Sequence, residues 1–155
     1  SNCIGASGAT ALGELLTHNT DLTELDLAYN RVGQEGAGAL CRALILGDNL
    51  RTLNLAGNEL STYGALELAP ILWKSTSLTS LNLHCNNIWA GATRGHDVHD
   101  EAWKLISLLE GCQSLKSVDL TYNGIQTFVS ENVRRFIQAI CATSAEHMTF
   151  VKWSS

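Results

Sequence analysis

Aliphatic residues fall in this chain in a fixed rhythm. Leu22, Leu25, Leu27 and Val32 form a pattern with Asn30 set between the last two. The same pattern returns at Leu50, Leu53, Leu55, Asn58 and Leu60, at Leu78, Leu81, Leu83, Asn86 and Ile88, and at Leu115, Val118, Leu120, Asn123 and Ile125. From Asn30 the asparagines stand 28, 28 and 37 residues apart. Counting back one period from Asn30 reaches Asn2, with Ile4 at the following aliphatic position. Near the other end Met148, Val151 and Trp153 keep the spacing of Leu115, Val118 and Leu120. The expected organisation is one repeat domain over 1–155: a partial repeat over 1–21, repeats starting near 22, 50, 78 and 115, and a partial repeat from 148. No unit of this size buries its leucines alone, so each must cover its neighbour's open face.

The second half of each unit repeats as well. Gly8, Gly36 and Gly64 are in register, followed by Ala9, Ala37 and Ala65, then Leu12, Leu40 and Leu68, and finally Leu16, Leu44 and Leu72. Spacings of three and four place these positions on one helical stripe. The third unit regains the register through Ala102, Leu105 and Leu109, and the fourth through Val133, Phe136 and Ile140. Each unit therefore reads as a short strand, a turn and a helix. A strand occupies about 4.8 Å sideways and a helix about 10 Å, so stacking one of each per unit bends the array with the strands inside. Pro70 falls within the second outer helix, where its missing N–H predicts a late start or a kink.

These residues resemble the leucine-rich repeat family. The 28-residue Leu-x-x-Leu-x-Leu-x-x-Asn-x-Leu unit with its Gly-Ala-x-x-Leu helix is similar to the ribonuclease-inhibitor-like subclass. The resemblance spans essentially the whole chain. It implies an α/β fold: a horseshoe segment of a right-handed solenoid, with a parallel sheet on the concave face and helices on the convex face.

Composition narrows the function. Apolar residues are 45% and charged residues 16% of the chain, enough for a core and against a disordered tail. A net charge of −5 supplies no basic stripe for nucleic acid or anionic lipid, so neither is expected as a partner. The longest apolar run, Leu68 to Trp73, is far short of the roughly 20 residues of a membrane span, and Ser1 to Gly13 lacks the layout of a signal peptide. Cys3, Cys41, Cys85, Cys112 and Cys141 are odd in number and widely spaced, which predicts reduced thiols, no zinc cage and a cytoplasmic protein. Ile4, Leu12 and Leu15 at one end, and Met148, Val151 and Trp153 at the other, have no polar cap in front of them. The expectation is a segment of a longer array, or a subunit whose open repeat ends a larger complex covers.

Candidate chemistry was weighed against plainer roles. Asn2, Asn30, Asn58, Asn86 and Asn123 fit a buried structural ladder bonding the turns better than a functional row. Alternation along the strands sends three columns to the concave face: Glu24, Thr52, Ser80, Ser117 and Phe150; Asp26, Asn54, Asn82, Asp119 and Lys152; and Ala28, Ala56, His84, Thr121 and Ser154. Five strands of this length project only about 300 Å². A standard interface takes about 800 Å² from each partner, so loops or further repeats must contribute. No tyrosine, tryptophan or arginine anchor stands within the first four strands. Glu24, Asp26, His84 and Asp119 are the candidate contacts, with ordinary solvated sheet as the alternative.

The 37-residue interval carries nine extra residues within 89–103, and insertions on a rigid scaffold are frequent binding elements. Trp89, Arg94, His96, Asp97, His99, Asp100 and Trp103 are expected to contact a partner there; the rival is a drifted loop whose tryptophans pack on neighbouring repeats. Zinc ligation by His96, Asp97, His99 and Asp100 is disfavoured, because the spacing fits no known cage. Arg134 and Arg135 read as a solvated helical face. No phosphate loop, nucleophile elbow or His-Glu-x-x-His occurs, so no catalytic residue, cofactor or metal is predicted. The expected function is a non-enzymatic scaffold for protein partners. The alternatives are a regulatory repeat protein, of GTPase-activating or nucleotide-sensing receptor type, and a structural subunit of a cytoskeletal or ciliary assembly.

Overall fold

The structure, a computed structural model, describes residues 2–19, 21–89, 104–105, 107–109, 112–124 and 150–152. Five strands, β1 (Glu24–Asp26), β2 (Thr52–Asn54), β3 (Ser80–Asn82), β4 (Ser117–Asp119) and β5 (Phe150–Lys152), form one parallel sheet in chain order. Leu25, Leu53, Leu81, Val118 and Val151 are direct partners across it. The repeat register read from the leucines is the register of the sheet, the closing segment included.

Helix α1 (Gly5–Leu16) leads into β1, and α2 (Gly33–Gly47) returns the chain from β1 to β2. The expected third helix is split at Pro70 into α3 (Ser61–Leu66) and α4 (Ala69–Lys74). Proline stands in the first turn of α4, where its absent N–H costs no helical hydrogen bond. Residues 104–105 and 107–109 are helical too, with Leu105 and Leu109 buried. Val133, Phe136 and Ile140 lie outside the described residues.

The core is a continuous spine. Leu53, Leu81 and Val118 meet Leu55, Leu83 and Leu120 from the strand side, and Ala37, Leu40, Ala65, Leu68 and Leu72 from the helices. Glycine keeps the helices close. A Cβ on Gly64 would stand 3.1 Å from the Gln34 backbone, and one on Gly36 would meet Val32 and Ala9 below 3.0 Å.

The asparagine ladder ties unit to unit. Asn30, Asn58, Asn86 and Asn123 are buried. Asn2 N–H donates to Asn30 Oδ1 (2.9 Å), Asn30 N–H to Asn58 Oδ1 (3.0 Å), Asn58 N–H to Asn86 Oδ1 (2.9 Å), and Asn86 N–H to Asn123 Oδ1 (2.8 Å). Each Oδ1 from Asn58 onward accepts a second N–H, from Val32, Leu60 and Ile88. Val32 and Leu60 are the N-cap residues of α2 and α3, and neither has a capping side chain. The asparagine of the next unit therefore satisfies the N–H of the N-cap residue, the bond that a Glu or Gln three residues on makes in a capping box. A second tie lies beyond α2, where Asp48 accepts from Ser75 Oγ (2.8 Å) and from Thr76 N–H (3.0 Å) and Oγ1 (2.8 Å). Partial burial pushes its carboxyl up, but hydrogen bonds from Thr76, Ser75 and Ser77 outweigh that and hold it below the usual carboxylate range.

Candidate interaction surface

Three-residue strands leave little room for display. Only the first and last residue of each faces the concave side, so Glu24, Thr52, Ser80 and Ser117 line one column, and Asp26, Asn54, Asn82 and Asp119 the next. The second column is partly committed to turning the chain. Asp26 Oδ1 accepts from Ala28 N–H (2.9 Å), Asn54 Oδ1 from Ala56 N–H (3.1 Å), Asn82 Oδ1 from His84 N–H (2.9 Å) and Asp119 Oδ1 from Thr121 N–H (3.0 Å). Four side chains thus make the same local turn two residues on. Asn54 Nδ2 also donates to Asp26 Oδ2 at 3.0 Å.

The third column departs from expectation. Ala28 and His84 are half-buried, but Ala56 and Thr121 are buried. Strand alternation ends with Asp26, Asn54, Asn82 and Asp119, so its parity no longer decides which way residues two positions further point. Thr121 Oγ1 donates to Asp119 Oδ1 at 2.7 Å and is hydrogen-bonded to His84 Nδ1. The ring of Tyr122 stands edge-on to His84, with centroids 5.1 Å apart at 68°.

Beyond the strands lies a rim that the sequence reading passed over. Tyr29, Gly57, Cys85 and Tyr122 occupy equivalent places just before the ladder asparagines, all in the left-handed region with φ of 58°, 62°, 55° and 57°. Tyr29 is 53% and Tyr122 65% exposed. The Tyr29 ring lies on Gly57, where a Cβ would come within 2.3 Å of it. Glycine there serves both the backbone and the ring. Arg31 and Glu59, one step further, pair at 3.8 Å in the open. The signal was present in the sequence as the column between Leu27 and Asn30, which reads tyrosine, glycine, cysteine, tyrosine.

Of the candidate contacts, Glu24 and Asp26 are exposed and Asp119 half-buried on the concave side, and His84 is half-buried in the turn just past β3, bonded through Thr121 to Asp119. Trp89 is different: at 3% exposure it belongs to the core. Its N–H donates to Asn123 O at 2.9 Å, so the chain is still bound to the next turn at that point and the indole goes inward. Its expected place among the surface contacts is corrected. Arg94, His96, Asp97, His99, Asp100 and Trp103 lie outside the described residues, and with them the weighed zinc site. Among the described residues no helix is long and apolar enough to cross a membrane.

The thiols of the described residues divide by position, Cys141 lying outside them. Cys3 and Cys85 are exposed, while Cys41 and Cys112 are buried. Burial pushes the Cys41 thiol up to about 11; Glu67 adds to this, and the Ile71 backbone hydrogen bond and Arg42 oppose it. An aromatic disulfide reagent at neutral pH is expected to label Cys3 and Cys85 in the native protein, and Cys41 and Cys112 only after unfolding. Peptide mass mapping reads the sites, and prompt native labelling of Cys41 would contradict its burial.

A model of the leucine-rich repeat matches residues 18–41, 48–69, 74–88 and 111–127. Among solved structures, the actin-binding site 2 of leiomodin-1 is similar with a TM-score of 0.69 at 20% identity, over 94% of this chain and 77% of that one. The tropomodulin C-terminal domain of Caenorhabditis elegans gives a TM-score of 0.72 at 20% identity, over 95% of this chain and 83% of that one. At such identities the likeness is one of fold. No curated protein matches the chain.

Proposed function

The chain belongs to the leucine-rich repeat family, and from that premise we propose that it is a non-enzymatic scaffold gripping a protein partner along the rim and concave face of its sheet. The observation that carries the reading is the pair of exposed tyrosines, Tyr29 and Tyr122, held at fixed places on the rim. Three strand spacings set them about 14 Å apart. Tyrosine is a common anchor because it contributes much contact area for few rotatable bonds. Glu24, Asp26, His84 and Asp119 add a polar floor beside them.

The test is a double substitution, Tyr29→Ala with Tyr122→Ala. Exposed rings contribute little to the core, so the melting temperature should stay within a few degrees. Partners captured from the native source by the wild-type chain should be held at least tenfold more weakly, each anchor being worth about 1–2 kcal/mol. Retention of the same partners at full strength removes the rim from the interface.

The cytoskeletal reading draws support from the fold likeness to leiomodin-1's actin-binding site. Co-sedimentation with actin filaments decides it: the protein remaining in the supernatant at micromolar filament concentration ends that reading and leaves the scaffold intact.

A further inference from the structure

We propose that the concave face takes a basic, extended segment of the partner, with a hydrogen-bond donor of that segment seated on Nε2 of His84. The argument begins with one proton. A threonine hydroxyl has a single hydrogen, and that of Thr121 is directed to Asp119 Oδ1 at 2.7 Å. The contact between Thr121 Oγ1 and His84 Nδ1 must then run the other way, with Nδ1–H as donor. Were Nδ1 bare, Thr121 would owe its hydrogen to the ring and leave its oxygen against a carboxylate oxygen. Thr121 is 2% exposed, so water is poorly placed to substitute for either partner. A neutral ring protonated at Nδ1 carries its lone pair at Nε2. His84 is half-buried and therefore offers the groove an acceptor, beside the exposed ring of Tyr122. The opposite tautomer would offer a donor and select a carbonyl-rich or acidic partner.

Charge gives the segment its sign. On β1 to β4 the concave columns contain the carboxylates Glu24, Asp26 and Asp119 and no lysine or arginine; Lys152 is the register partner of Asp119 on β5. Glu24 and Asp26 are exposed two strands to the side of His84 and four and two residues back along the strand direction, about 16 and 12 Å away. Those distances are about four to five residues of extended chain. Two arginines so spaced would meet the His84 acceptor and the β1 carboxylates together, with Tyr122 as a face for one guanidinium.

The inference rests on the scaffold reading for its setting, yet its first measurement concerns the free protein alone. Long-range proton–nitrogen correlation on ¹⁵N-labelled protein at neutral pH, assigned with His84→Gln, reports which ring nitrogen carries the proton. Nδ1–H is expected in the wild type and in Thr121→Ser, with a shift toward Nε2–H in Thr121→Val. A wild-type ring carrying a proton at Nε2, alone or together with one at Nδ1, overturns the proposal. Octa-arginine, with octa-glutamate as control, is the binding probe. Octa-arginine should move the His84 ring signals and the Glu24 and Asp26 amides, and Glu24→Gln with Asp26→Asn should weaken it about tenfold. No movement with octa-arginine, or equal movement with octa-glutamate, also overturns it. Neither result touches the tyrosine capture experiment, so the scaffold reading fails or stands separately.

Discussion

Replacing Asn58 by alanine should remove about 3–5 kcal/mol of stability. Its side chain is fully buried and makes four hydrogen bonds. Oδ1 accepts from Asn30 N–H (3.0 Å) and Val32 N–H (3.2 Å), while Nδ2 donates to Leu27 O (2.8 Å) and Ala56 O (3.1 Å). Alanine orphans two buried donors, Asn30 N–H and Val32 N–H, the second being that of the α2 N-cap residue; Leu27 O keeps its bond from Asn30 Nδ2 and Ala56 O its bond from Tyr29 N–H. Each buried unsatisfied donor costs about 1–3 kcal/mol, so the two together account for the stated range. For a domain with typical stability of about 5–15 kcal/mol, that is a large fraction. The urea midpoint should fall by about 2 M. Asn58→Asp should be no milder, since it keeps the acceptors but turns a carboxylate toward two carbonyls. A midpoint within about 0.3 M of wild type for Asn58→Ala would mean that the ladder is ornamental.

A paired substitution tests the shared spine. Leu53 and Leu25 are register partners with the same place in the repeat. Leu53 is buried between two strands, while Leu25, on the edge strand, is only half-buried. Leu53→Ala should cost about 3 kcal/mol, within the usual range for a buried leucine, and Leu25→Ala about 1 kcal/mol. The contrast isolates the environment, because sequence context and chemistry are matched. Equal losses in chemical denaturation would show that neighbour coverage does not set the stability of a rung.

Much of this fold was legible because it is periodic. A 28-residue recurrence fixed the strand register, the helical stripe and the ladder together, and Pro70 could be read as a break because proline's missing donor is a local fact. The floor of the site was legible only in part. Alternation placed Glu24 and Asp26 correctly on the concave side but failed for Ala56 and Thr121, which lie past the end of three-residue strands, where turn geometry takes over. Burial of Trp89 is legible only as the alternative in which the tryptophans pack on neighbouring repeats, because extra chain length marks where an insertion begins and not how far the preceding turn continues inward. Exposure of Tyr29 and Tyr122 depends on left-handed backbone at both positions, which residue type does not announce. The proton on His84 follows only from a contact between residues 37 positions apart.

The ladder closes over unequal lengths of chain. Its bond from Asn86 to Asn123 spans 37 residues and measures 2.8 Å, against 2.9 Å for the 28-residue step from Asn58 to Asn86. Rungs thus recognise one another rather than a count of residues. An engineer wishing to graft a foreign loop has a natural socket between Asn86 and Asn123, where nine residues beyond the usual period leave the rung-to-rung bond unchanged.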